Sequence, residues 1–436
     1  MKQALIAIGI TILTSLFFFP FNSAWLPAVN TKMALAALAI PLYFIRGAKA
    51  RNSAPAYGMV GLSICGAIVT IIGITAVIIN NTGDYTYASY FVSMYVWLGG
   101  AYVVTRAMEA AYGKVTIRLV GNFLIAVCVA QCILAQIINA VPAVANIVDS
   151  FMVSTGFMGK HETRLYGIGC ALDVAGLKFC AVLLMATFFA LNPVSKERGT
   201  LERCIYIVAF LIIAVFGSMI ARTTSVGIIL SVIMCILFPI FNKNQDSRSN
   251  TWGLAKTFIV FLIVVVPVIV FFYNVNPGFK ENLRFGFEGF FSLAEEGEWD
   301  VRSNRQLFSM VVWPDNLKTW VIGDGYFSQP QNDYYYVGPN YDYYMGTDVG
   351  YCRFIFYFGI LGLIAFSSVF FASAIICTKK YPEYALLFWM ILIMNFVGWV
   401  KVSSDIFLVF AILICVGKEE YIQSENENHI SDPLDM

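Results

Sequence analysis

The residues with the most chemical potential in this chain are arginines placed beside apolar runs. Arg222 lies in Gly217 to Gly227, between two apolar stretches that nearly touch, with Thr223, Thr224 and Ser225 beside it. A guanidinium there either snorkels to headgroups, as long basic side chains do near helix ends, or grips a phosphate or carboxylate through two parallel hydrogen bonds. Arg164 stands among His161, Gly167 and Gly169, and glycines permit close backbone approach. His161 reads as a loop residue making ordinary polar contacts, since it has no second ligand for a metal. Arg302 and Arg305 share one face of an expected helix. Arg353 falls one turn inside an apolar run, an expensive position unless paired or functional. Among the acids, Asp348 either caps the helix that follows it or serves as a base, with Asp324 in the turn Gly323 to Gly325 and Glu298 as weaker bases. Glu298 and Asp300 read as solvated loop acids, because nothing nearby completes a divalent-ion site. Tyr334, Tyr335, Tyr336, Tyr341, Tyr343, Tyr344 and Tyr351 supply rings with hydroxyl handles, which suit sugar faces and membrane interfaces alike.

The elements that hold these residues are membrane spans. Apolar residues make up 59% of the 436 and charged residues only 13%, about half the fraction of an ordinary soluble domain. Twelve apolar runs of near bilayer length are expected, at 4–22, 27–45, 56–79, 88–105, 117–138, 170–191, 204–221, 225–241, 254–273, 348–376, 384–400 and 403–417, the last being short. Pro20 and Asn22 stand where a signal peptide would carry small residues, so the first run reads as a retained helix. With the N-terminus cytoplasmic, every inner segment carries Lys or Arg, sixteen of the 28 in all, which places both termini inside and the long polar segment outside. The other twelve basic residues are assigned to outer loops or outer helix ends. The expected fold is therefore all-α and polytopic: helices one to nine over 1–273, an extracytoplasmic loop over 274–346, three further helices over 347–418 and a cytoplasmic tail over 419–436. Within the loop, the run Leu283 to Leu293 mixes large apolar residues with Arg284 and Glu288, and reads as an interfacial segment or a simple anchor.

Most of the ten cysteines lie inside apolar runs, and Cys128 and Cys132 share a helix face as small buried groups. No disulfide framework, metal site or cofactor is expected. A net charge of +1 offers nothing to nucleic acid.

The hairpin around Arg222, the Arg164 to Gly169 element, the Arg302/Arg305 helix ahead of Gly323 to Gly325, and Thr347 to Arg353 leading to Phe358, Gly359 and Gly362 together resemble the Wzy-type O-antigen and capsule polymerases of the polymerase and ligase superfamily. The resemblance covers about 160–365 plus the topology. It implies a glycosyltransferase of the bacterial cytoplasmic membrane that joins undecaprenyl-diphosphate-linked repeat units on the outer side, with a flippase and a chain-length regulator as partners in the same membrane. Arg222 and Asp348 would be catalytic, and Arg164, Arg302, Arg305, Arg353, Asp324 and Tyr351 would bind substrate. Related ligases carry a histidine just before the helix after the long loop. Thr347 and Asp348 occupy that place here, which favours polymerase over ligase. A flippase would instead carry charges along its span interiors and inverted repeats.

Overall fold

The structure is a computed structural model and describes residues 2–47, 57–153, 164–194, 199–241, 245–327, 336, 343–401, 404 and 406–417. The chain begins with α1 (Lys2–Phe18) and a short antiparallel hairpin, β1 (Asn22–Ser23) and β2 (Leu26–Asn30). It continues through α2 (Thr31–Gly47), α3 (Tyr57–Asn80), α4 (Tyr90–Tyr112), α5 (Ile117–Ala140), α6 (Pro142–Phe151), α7 (Leu172–Leu191), α8 (Gly199–Ile220), α9 (Thr224–Phe241) and α10 (Gln245–Val275). Four shorter helices follow, α11 (Pro277–Gly286), α12 (Glu288–Glu296), α13 (Arg302–Ser309) and α14 (Leu317–Ile322). The last are α15 (Gly350–Lys380), α16 (Ala385–Gly398) and α17 (Phe407–Ile414).

Seven of these, α3, α5, α7, α8, α9, α10 and α15, are long and apolar enough to cross a membrane by length and composition. They correspond to seven of the twelve expected spans. Of the rest, α1, α2 and α16 are apolar but shorter, and α4 has the length but carries Arg106 and Glu109. The run at 403–417 yields a helix of only eight residues, about 12 Å of rise, well short of a bilayer core. Apolar surface faces outward: along α10, Ile259, Ile263, Val264 and Phe271 are all exposed. In water such a surface would be an aggregation site, whereas hydrocarbon solvates it. This is a helical membrane protein.

The core forms around α7, in which every residue from Ala175 to Leu191 is buried. Its neighbours are α5, α8, α9 and α16. Small residues allow that closeness, because a Cβ on Gly227 of α9 would lie 2.5 Å from the Cys180 Cα and one on Gly121 of α5 would meet the Phe189 ring at 2.4 Å. One charge is buried with them. Lys178 points its ammonium at the rings of Phe18 and Phe19, 5.9 and 4.9 Å from their centroids, so it belongs to the helix interior and not to an outer helix end.

The polar segment at 274–346 is largely helical in its described part. Asn276 accepts a hydrogen bond from the Phe279 amide at 3.0 Å and Pro277 opens α11, a strong start signal. Gly297, with φ of 78°, ends α12 in the left-handed conformation.

The turn after α14 docks into a break in α15. Gly359 has φ of 67° and ψ of −171°, which interrupts the helix and frees carbonyls at its inner edge. The amides of Asp324 and Gly325 take the carbonyls of Phe356 and Tyr357 at 2.6 and 3.0 Å. The two backbones approach so closely that a Cβ on Gly359 would sit 2.2 Å from the Val321 carbonyl carbon, and one on Gly323 2.4 Å from the Tyr357 carbonyl oxygen. Gly359→Ala is therefore expected to cost about 2–5 kcal/mol, from positive φ and backbone overlap together. Thermal denaturation in detergent checks it against Gly61→Ala, a helical position with open space at its Cβ, which should be neutral or slightly stabilising.

Candidate functional site

The α8–α9 connection is three residues long, so the backbone at Ala221, Arg222 and Thr223 must turn sharply at the helix ends. The turn is closed by Ser225 and Thr224, whose hydroxyls bond the Arg222 and Gly217 carbonyls at 2.7 and 3.0 Å. From this tip the Arg222 side chain reaches into the helices of the polar segment. Its Nε donates to the Phe285 carbonyl at 2.9 Å, and one terminal nitrogen donates to Ser303 Oγ at 2.9 Å and stands 2.9 Å from Glu288 Oε2. The contact with Glu288 is an ion contact and not an aligned hydrogen bond, since that oxygen has no hydrogen-bond donor. Arg222 is thus covered by protein, which removes the snorkelling reading.

Two more arginines converge on it. The guanidiniums of Arg222 and Arg164 both lie over the Phe285 ring, 4.1 and 4.9 Å from its centroid. Burial pulls the Arg222 pKa below its ordinary value; Glu288 opposes this, Arg164 adds to it, Asp173 opposes and Arg302 adds. An arginine keeps its charge through such a shift. Burial is the largest of these effects and the two carboxylates outrank the two arginines, so what a bound anion would relieve is chiefly the lost solvation of the guanidinium.

A chain of polar contacts leads from this cluster to Asp348. Thr223 donates a short hydrogen bond to Asp173 at the start of α7, and Asp173 also pairs with Lys401 at 3.4 Å. Asp348 lies within electrostatic reach of both and pairs with Arg353 at 3.2 Å. Its carboxyl does not cap α15: the N-cap is Val349, whose apolar side chain accepts nothing and whose amide donates to Thr347 Oγ1 at 3.2 Å. Arg353 is fixed in turn by the Phe327 carbonyl at 2.9 Å and by the rings of Phe327 and Tyr343 at 4.2 and 4.9 Å. Burial raises the Asp348 pKa above the usual carboxylate value; Arg353 counters it, Asp173 raises it further, and the Arg353 hydrogen bond and then Lys401 lower it.

A cleft of about 140 Å³ opens between these groups, lined by Arg222, Thr223, Glu288, Trp299, Asn304 and Lys401. It is smaller than the about 300–1,000 Å³ of a whole small-molecule site, so it suits a charged group at the end of a larger ligand. Arg222, Glu288 and Lys401 line it, and Arg164, Arg302 and Asp173 lie within electrostatic reach of Arg222, four cationic side chains against two carboxylates. The balance suits an anion carrying more than one charge.

Three expected site residues have other employment. Arg305 is exposed and pairs with Asp300 at 2.8 Å, which also accounts for one of the two acids considered for a metal. Asp324 is held by Lys318 at 2.7 Å, Thr319 at 2.6 Å and Tyr344 at 3.2 Å, as the anchor of the turn docked on α15. Tyr351 donates its hydroxyl to the Phe396 carbonyl at 2.8 Å and packs on Trp399. Among the described residues no group of three or more His, Cys, Asp or Glu stands together. His161, Tyr334, Tyr335 and Tyr341 lie outside the described residues. Asp173 and Lys401 are the additions that sequence reasoning missed. Each is a charge at the edge of an apolar run, the same signal that singled out Arg353.

The carboxyl environment gives opposite expectations for two substitutions. Asp173→Asn removes a negative neighbour and should lower the Asp348 pKa, while Lys401→Met removes a positive one and should raise it. Infrared titration of the carboxyl band, assigned with Asp348→Asn, checks the signs; shifts in the same direction for both variants would break the Asp173–Lys401–Asp348 link.

The chain matches no protein-family model, no curated protein and no solved structure, so the meaning of this site rests on its own geometry.

Proposed function

We propose that the protein is a glycosyltransferase that polymerises oligosaccharide repeat units carried on a polyprenyl diphosphate. The observation that carries this reading is the joining of the Arg164, Arg222 and Arg302 cluster to Asp348 through Asp173 and Lys401. Glycosyl transfer from such a donor places negative charge on the departing diphosphate, and preorganised cations aimed there lower the barrier. Arg222 is the central group of that cradle, with Arg164 and Arg302 beside it. The acceptor sugar hydroxyl forms the new glycosidic bond at the anomeric carbon as the bond to the diphosphate breaks, and its proton goes to Asp348. A carboxylate with a raised pKa suits that task near neutral pH.

In this reading the chain crosses the bacterial cytoplasmic membrane twelve times, with both termini inside and the segment at 274–346 outside. The shorter apolar helices α1, α2 and α16 and the charged α4 complete the count with α17 and its flanks. A flippase delivers the substrate to the outer face and a chain-length regulator acts beside the enzyme. Among the described residues, the charge at Lys178 leans toward transport, since it lies in a helix interior. Its ammonium is engaged by aromatic rings, and the other site charges gather at one set of helix ends, which favours the enzyme.

Deletion of the gene tests the reaction class. A polymerase defect leaves surface lipid bearing a single repeat, a ligase defect leaves polymer on its carrier, and a flippase defect traps repeats on the cytoplasmic face; either of the last two removes the assignment. Arg222→Lys is expected to lose at least about 100-fold in polymerisation rate while remaining folded, since an ammonium keeps the charge but cannot reproduce the guanidinium fork, and loss of one preorganised donor typically costs about 10²–10³. Quantifying polymer formed per unit time in membranes of equal protein content checks it.

A further inference from the structure

The turn between α3 and α4 does more than join two helices. Asn80, Thr82 and Asp84 alternate along it, and their side chains meet every second residue of the stretch from Gly323 to Phe327. Asn80 Nδ2 donates to the Gly323 carbonyl at 3.2 Å, Thr82 Oγ1 donates to the Gly325 carbonyl at 2.9 Å, and Asp84 Oδ2 accepts from the Phe327 amide at 2.8 Å. The amides of Asp324 and Gly325 go to the break in α15 instead. The stretch is thereby clasped on both sides, its backbone groups satisfied by partners distant in the sequence.

Local chemistry fixes the turn before it meets that stretch. Asn81 takes a positive φ of 51°, which asparagine tolerates better than most residues. Asp84 closes an Asx turn, its Oδ1 accepting from the Thr86 amide at 3.1 Å and from the Thr86 hydroxyl at 2.6 Å. The Tyr357 hydroxyl donates to the Asp84 carbonyl at 2.9 Å and accepts from the Tyr87 and Ala88 amides at 3.2 and 3.1 Å, which pins the turn to α15. Phe327 passes this order on. Its amide is held by Asp84, while its carbonyl accepts from Arg353 at 2.9 Å and its ring centroid lies 4.2 Å from the Arg353 guanidinium. Arg353 in turn reaches Asp348 at 3.2 Å.

We propose that Asp84 is a positioning residue for the Arg353–Asp348 pair, acting through the backbone and ring of Phe327 and not by contact with Asp348. A turn that carries none of the expected site residues thus sets where the counter-charge of Asp348 stands. The part this plays in turnover rests on the polymerase reading; the hold on the pair does not.

The test is infrared titration of the Asp348 carboxyl in the purified full-length protein, with Asp84→Ala as the first variant. Among the described residues, the charged groups that act on Asp348 are Arg353 on its own helix, Asp173 at the entry to α7 and Lys401 after α16; Asp84 is not one of them. Two causes of a shift have opposite signs. Loss of the Phe327 anchor lets Arg353 drift from the carboxylate and moves the titration upward, whereas loss of a negative charge acting through space moves it downward. An upward shift is expected. Asp84→Asn removes the charge but keeps an oxygen for the Phe327 amide, and should restore the native titration. In an Arg353→Met chain, Asp84→Ala should add no further shift, because the residue it acts through is gone. Should Asp84→Ala fail to fold, Asp84→Ser decides the same point, since its hydroxyl still accepts from the Thr86 amide but is too short to hold Phe327 as well. No shift, a downward shift, or an undiminished upward shift in the Arg353→Met chain overturns the proposal. On the polymerase reading, Asp84→Ala also lowers the polymerisation rate by up to about 100-fold, as a misplacement of about 1 Å does. An unaltered rate beside an upward-shifted titration would count against that reading and leave the positioning role standing.

Discussion

The arrangement at one end of this protein depends on the cost of desolvating the Arg222 guanidinium. The two-helix hairpin of α8 and α9 delivers a permanent charge to a place where water is largely excluded, and an unpaired charge there would cost several kcal/mol. Three pieces of the polar segment relieve it at once: the end of α11 through the Phe285 carbonyl, the start of α12 through Glu288 and α13 through Ser303. That single side chain therefore ties a membrane hairpin to the helices lying over it. The tie is incomplete because burial still pulls the Arg222 pKa down, although Glu288 and Asp173 more than offset the repulsion from Arg164 and Arg302. Stability and ligand binding pull in opposite directions here, as they do at strained sites generally.

The second support is backbone on backbone. The glycine break in α15 presents carbonyls to the Gly323 to Gly325 turn, and no side chain fits between them. Arg353 sits on the portion of α15 that precedes the break, and Asp348 just ahead of that helix, next to Phe354, Tyr357 and Phe358, which interlock with Tyr87 and Trp399. An aromatic cluster of that density holds the helix start in place, so the Asp348 carboxyl keeps its distance from Asp173 and Lys401. The site is then assembled from five separate parts of the chain: the entry to α7, the α8–α9 tip, α11 to α13, the start of α15 and the residues after α16.

Much of this was legible in the sequence where a charge interrupts an apolar run. Arg222, Arg353 and Asp348 declare themselves in that way, Arg164 through the glycines that follow it and Arg302 through the helix face it shares with Arg305, and the structure brings them into one electrostatic neighbourhood. The same rule, applied to the first turn of α7 and to the residues after α16, points to Asp173 and Lys401. Glu288 was hidden for a different reason, since a residue in a mixed segment reads as interfacial until its partner across the fold is known. Pairing at long range is what sequence spacing does not encode: Asp324 and Arg353 look alike as isolated polar residues beside glycines, yet one anchors a turn and the other faces the site. The spans were clear where hydropathy was continuous, as in α3 and α10, and least clear where Arg106 and Glu109 interrupt α4 or where α17 shrinks to eight residues. The β1–β2 hairpin and α6 were missed because they fill short intervals beside or between apolar runs.

The proposed function requires that the arginine cluster recognise a diphosphate and not merely a negative charge. Its most direct measurement is the affinity of the purified protein in nanodiscs for a polyprenyl diphosphate compared with the matching polyprenyl monophosphate, in the native chain and in Arg222→Gln. A guanidinium cradle around a net positive cleft should bind the diphosphate at least about tenfold more tightly, and Arg222→Gln should remove most of that difference. Equal affinity for the two lipids in the native chain, or a preference that survives Arg222→Gln, would contradict it.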